Sequence, residues 1–176
     1  MSFSKDTFKE MNISCGWYTL YVGLNLGLIS ESDIMNYAID YLSKYPNSEN
    51  HNIIQLAWGD ETNYWEILIN IVKESSNSDL STDSDTWQLE KRKWRLVILV
   101  DLQKKYLDNY EELLNKVAKV YADMDYPVDM EHFINYLTPK DGYNPSLYSP
   151  EENRARLVKL FNSFLDREKQ LLNETT

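Results

Sequence analysis

At 176 residues with a formal net charge of −10, the chain is long enough to bury a core without disulfide or metal staples. It is also too acidic to offer a nucleic acid a phosphate-neutralising face. A single cysteine, Cys15, excludes an intrachain disulfide, and only 5 Gly and 5 Pro interrupt a composition rich in aromatics, which favours long helices.

No run approaches the roughly 18 apolar residues of a membrane helix, and no charged-then-apolar leader opens the chain. The expectation is therefore a soluble, cytoplasmic protein with one helical domain over residues 1–176. The charge is uneven. Residues 1–86 carry 13 Asp/Glu against 4 Lys/Arg, a balance of −9, whereas residues 87–176 carry 15 against 14, a balance of −1.

In chain order, Phe3, Phe8 and Met11 mark a short amphipathic turn in residues 1–12. Ser14 is the expected cap of a helix with Trp17, Leu20, Tyr21 and Leu24 on one face, and Gly27 stands where that helix should end. Ser30, with Asp33 three residues on, starts a helix whose stripe is Ile34, Tyr37, Ala38, Tyr41, Leu42 and Tyr45. A short helix over Asn50–Trp58 ends at Gly59. Thr62 then starts a helix with Tyr64, Trp65, Leu68, Ile71 and Val72 inward. Residues 75–85 are small and polar and read as a mobile surface loop, because they bury too little to offset their ordering entropy.

The stretch Thr86–Leu107 contains Leu96-Val97-Ile98-Leu99-Val100, the longest apolar run in the chain. It continues for about 20 residues without Gly or Pro, which decides for a helix over a strand. Apolar on every side, it requires enclosure by other helices. Trp94 sits in the basic cluster Lys91-Arg92-Lys93-Arg95, yet it shares helical spacing with Val97, Ile98 and Leu102. Its ring is therefore expected inward, with Lys91, Arg92 and Lys93 at the rim and Arg95 paired with an acidic neighbour. The cluster as a whole is expected to hold the acidic first half against this helix rather than to bind an anion.

Beyond it, Asp108 or Asn109 caps a helix striped by Tyr110, Leu113, Leu114, Val117, Val120 and Tyr121. Pro127 opens a short helix with Met130, Phe133, Ile134 and Leu137 inward. Residues 138–148 read as an irregular loop, and Ser149-Pro150-Glu151-Glu152 starts the last helix, striped by Leu157, Leu160, Phe161, Phe164 and Leu165. The sum is an all-α fold, an irregular bundle or stack of helical hairpins with seven or eight helices and no strand.

The segment Tyr121-Ala122-Asp123-Met124-Asp125-Tyr126-Pro127 carries a resemblance. With Gly23-Leu24-Asn25-Leu26-Gly27-Leu28-Ile29 and Lys93-Trp94, it is similar to domain-of-unknown-function family 2247, whose members show YADFDYP. Met124 replaces the usual Phe, and Leu137-Thr138-Pro139 stands where Met-Pro is typical. The resemblance implies a bacterial setting and one coherent fold, and it brings no activity with it.

Little in the chain spells out chemistry. Asp129 and His132 form half of a di-iron motif, and one cysteine with two histidines falls short of a structural zinc set, so no metal or cofactor is expected. No GxSxG elbow, P-loop or GxGxxG is present. The acidic half points instead to a non-catalytic module that binds a basic protein, such as an immunity-type inhibitor of a basic bacterial toxin. Its expected contact residues are Asp60, Glu61, Asp123, Asp125 and Tyr126. The alternatives are an enzyme with an acidic or His132-containing interhelical cleft, and a structural subunit that self-associates through its surplus aromatics.

Overall fold

A computed structural model describes residues 5–59, 63–75 and 79–174, with side chains from Thr7 onward. Among them are eight α-helices: α1 (Lys5–Glu10), α2 (Trp17–Asn25), α3 (Glu31–Lys44), α4 (His51–Trp58), α5 (Tyr64–Ser75), α6 (Asp85–Lys105), α7 (Tyr110–Asp123) and α8 (Pro150–Glu174). Two 3-10 segments, Val128–Phe133 and Pro145–Leu147, complete the set, and the described residues contain no strand. The all-α expectation holds. None of these helices is long and apolar enough to cross a membrane.

The chain forms two compact units, one of residues 1–9 and 14–94, the other of residues 10–13 and 95–176. Helix α6 contributes its residues through Trp94 to the first and those from Arg95 to the second.

In the first unit α3 packs on α4, α4 on α5, and α5 on α2. Ser30 N–H donates to Asp33 Oδ2 at 2.8 Å, so the expected start of α3 is present, and Asn50 Oδ1 caps α4 through Ile53 N–H at 3.1 Å. Helix α2 begins later than the sequence suggested. Gly16, not Ser14, is its cap, with Gly16 N–H donating to Thr19 Oγ1 at 3.0 Å. At the other end, Gly27 is left-handed at φ 66°, and the bonds Leu28 N–H to Gly23 O and Gly27 N–H to Leu24 O close a Schellman turn. Trp65, expected inward, is partly exposed, with its ring 5.2 Å from that of Tyr21.

The middle of α6 is buried without interruption from Lys93 to Leu99. Trp94 is 3% exposed and donates its indole N–H to Thr19 O at 2.7 Å. Phe8 meets the indole edge-on at 5.1 Å. On the facing side is Gly23, where a Cβ would come within 2.4 Å of Trp94 Cζ2. Two of the segments that carry the family resemblance are thus one packing device: the glycine is the floor on which the tryptophan lies.

The described part of the polar loop, from Asp79, is organised by short bonds. Ser84 Oγ donates to the Ser81 carbonyl at 2.8 Å and accepts from Trp87 N–H at 3.2 Å, which starts α6 at Asp85.

In the second unit α8 packs on α7 and on the segment Val128–Phe133. Asn109 Oδ1 caps α7 through Glu112 N–H. Ser149 and Glu152 close a reciprocal box at the start of α8, with Ser149 N–H donating to Glu152 Oε2 and Glu152 N–H donating to Ser149 Oγ. The core gathers Phe133, Phe161 and Phe164, with the Phe133 ring centroid 5.5 Å from that of Phe161 and 5.1 Å from that of Phe164. The element after Pro127 is a 3-10 turn rather than an α-helix, and Pro127 itself, at ψ 123°, stands just outside it.

Candidate functional site

The second unit's site grows from the end of α7. Asp125 N–H bonds to Ala122 O and Tyr126 N–H to Tyr121 O, the pairing of a Schellman turn. Asp125 occupies the left-handed position at φ 64° that glycine usually fills, and Tyr126 follows it at φ 56°. Consecutive left-handed non-glycine residues are rare, and the second here is an aromatic immediately before proline. The turn projects Tyr126, which is 61% exposed, and sets its ring edge-on to Tyr121 at 5.3 Å. Tyr136 approaches the same ring from another direction, with centroids 6.5 Å apart.

Tyr121 lines a pocket of about 460 Å³, together with Val128, Glu131, His132, Leu137, Thr138 and Lys140. Burial pushes the Tyr121 phenol above its ordinary value, and the nearby Glu131 and Tyr136 add to the rise. Lys140 donates its ammonium to Glu131 Oε2 in a close ion pair, which raises the lysine. His132 lies against Phe133 and Phe164, and desolvation, helped by Arg167, holds it below 6.5, so its imidazole is mostly neutral at pH 7. The loop that carries Lys140 is tied to α8. Arg156 pairs with Asp141 and lies 4.0 Å from the Tyr143 ring, and Tyr143 donates its hydroxyl to Asn153.

Of the five sequence-predicted contact residues, Asp123, Asp125 and Tyr126 lie among the described residues. Asp60 and Glu61 lie outside the described residues. Asp123 is exposed and accepts from Lys119 at 2.8 Å, Asp125 forms the turn, and Tyr126 sets its ring edge-on to Tyr121 without lining the pocket itself. Leu137 was expected on an inward stripe, whereas Glu131, Thr138 and Lys140 carried no signal of spacing, because the pocket exists only once the loop folds back towards α7.

The basic cluster departs from the expectation at Lys93 and meets it at Arg95. Lys93 is buried rather than at the rim, bonded to Glu90 on its own helix at 2.8 Å and to Ser14 at 3.2 Å. Arg95 does find acidic neighbours, but in the second half of the chain. It holds Asp129 through both terminal nitrogens at 2.8 and 2.6 Å, and Glu168 at 2.9 Å. Asp129 is thereby committed to an arginine rather than to a metal with His132. Among the described residues no group of three His, Cys, Asp or Glu side chains could hold a metal ion.

What the pocket offers is aromatic and aliphatic walls, the Glu131 carboxylate paired with the Lys140 ammonium, the hydroxyls of Tyr121 and Thr138, and the His132 imidazole. Fold and site together define an all-α protein with a small amphipathic pocket. A family model described as "Uncharacterized protein conserved in bacteria (DUF2247)" matches residues 5–169, and the chain belongs to that family. No curated protein matches it, and no solved structure does.

Proposed function

We propose that this protein is a non-catalytic binding module for a basic protein, and that within this class it acts as an immunity-type inhibitor of a basic bacterial toxin. The observation that carries the reading is the charge of residues 1–86, a balance of −9. Its carboxylates at Glu31, Asp40, Glu49, Glu66, Glu74, Asp79, Asp83 and Asp85 are all exposed. Acidic surfaces of this kind speed encounter with cationic partners and reject acidic ones. An enzyme working through His132 is the second reading, supported by the place of that imidazole in the pocket beside Glu131.

The test is affinity capture from the source cell at rising salt, comparing the wild type with a Glu49→Lys, Asp83→Lys double variant. The expected result is a basic protein whose recovery falls as screening shortens electrostatic reach to about 8 Å at physiological ionic strength, and falls further with the charge reversal. Recovery of nucleic acid alone, or of a partner indifferent to both salt and reversal, refutes the proposal.

A further inference from the structure

We propose that the Tyr121 pocket receives the cationic side chain of an arginine or lysine from a basic partner protein, with Lys140 as its resident occupant when the partner is absent. The inference rests on the reading above only for the source of the cation.

The asymmetry of the Glu131–Lys140 pair is the first observation. The glutamate side chain is 24% exposed and belongs to the pocket wall, whereas the lysine side chain is 79% exposed. The sheltered member is the anion, and the cation reaches it from solvent, so the cation is the exchangeable partner. An exposed lysine holding such a contact gives up little on release, because ion pairs of this kind are weak.

Second, the carboxylate shares the pocket with one aromatic ring, that of Tyr121. Outside the lining, Tyr126 stands edge-on to that ring at 5.3 Å and Tyr136 lies 6.5 Å from it. Aromatic faces attract ammonium and guanidinium groups through the ring quadrupole, and do so more strongly when water is excluded. The charge of Lys140 already acts on the Tyr121 phenol, opposing the rise caused by burial. Val128 and Leu137 supply the aliphatic walls that the methylenes of a long basic side chain need.

Third, the exchange requires no rearrangement of the backbone. Residues just past Lys140 are anchored on α8 by the Arg156–Asp141 pair and the Tyr143–Asn153 hydrogen bond. Only the lysine side chain has to swing out. The volume, about 460 Å³, is that of a small ligand site and admits one such side chain with its flanking backbone.

The probes are acetyl-glycyl-arginyl-glycinamide and its lysine and norleucine counterparts, titrated into the purified full chain and followed by amide NMR shifts. With the arginine or lysine peptide, shifts are expected at Glu131, His132 and Thr138, and norleucine should leave them in place. Lys140→Met removes the resident competitor and should tighten binding of the cationic peptides about two- to fivefold, the weight of an exposed ion pair. Glu131→Gln, checked for an unchanged melting temperature, should abolish it.

Norleucine binding as well as arginine, an affinity unchanged in Lys140→Met, or no shifts in either protein at tens of millimolar peptide would each overturn the proposal. These readouts need no partner protein. Failed lysate capture together with cationic peptide binding therefore sinks only the binding-module reading, and salt-sensitive capture without peptide binding sinks only the pocket.

Discussion

Replacing Gly23 by Ala tests the packing of the first unit with a single methyl group. The new Cβ would lie 2.4, 2.7 and 2.9 Å from Cζ2, Cε2 and Nε1 of Trp94. Ordinary contact begins near 3.4 Å, so the indole has to move by about 1 Å against neighbours packed at near-crystal density. Overpacking of this kind costs about 1–3 kcal/mol. The same movement draws the indole N–H away from Thr19 O, now at 2.7 Å, and leaving a buried donor unpaired costs about 1–3 kcal/mol. Working the other way, alanine gains about 1 kcal/mol over glycine in a helix interior. The net expectation is a loss of roughly 2–4 kcal/mol, which lowers the melting temperature by about 10 °C for a chain of this size. Thermal unfolding followed by circular dichroism reads this directly, and tryptophan emission should shift as the indole is displaced. A Gly23→Ala variant that melts at or above the wild-type temperature would show that helix propensity outweighs the clash and that the indole has room to retreat.

Gly27 lies in the same segment and fails for a different reason. Its φ is 66° and nothing stands within 4 Å of the place a Cβ would take, so Gly27→Ala should cost only about 1 kcal/mol of backbone strain, and Gly27→Asn less; equal losses would point to a steric contact instead. Arg95→Ala removes the bidentate pair to Asp129 and the 2.9 Å pair to Glu168, which is 2% exposed, and should destabilise the fold by about 3–5 kcal/mol in urea titration, whereas loss of less than about 1 kcal/mol would mean that the ion cluster contributes nothing net. His132 should titrate below 6.5 by NMR. Since the unfolded chain then binds the proton more readily, the histidine's contribution makes the fold less stable as pH falls from about 7 through the folded midpoint, and a midpoint above 6.5 would reverse that sign.

The helical stripes were readable because burial on one face writes a period of 3.6 residues into the sequence. The inward turn of Trp94 followed from its spacing with Val97, Ile98 and Leu102, against the pull of four cations beside it. What spacing cannot carry is which distant residue answers a charge. Arg95 reaches partners 34 and 73 residues away, and Lys93 is buried because Glu90 one turn earlier accepts its proton-bearing end. The left-handed pair at Asp125 and Tyr126 was equally hidden, since both are ordinary residues in a conformation that glycine usually marks. Of the pocket, Tyr121 belongs to the segment that the sequence singled out, whereas Glu131 and Lys140 become neighbours only through the fold of the loop after residue 137.

The Thr19–Trp94 bond has a consequence for how the protein is made. It joins residues 75 positions apart, and Gly23 is bare until Trp94 covers it. At about 5–20 residues per second, the ribosome takes about 4–15 s to synthesise that interval. During it, α2 to α5 are completed one after another without the tryptophan that covers Gly23. The nascent chain therefore carries an open apolar seam for seconds before its first unit can close, long enough for a chaperone to engage it. A translational pause just before Trp94 would lengthen that window, whereas one placed after it would let the unit close undisturbed.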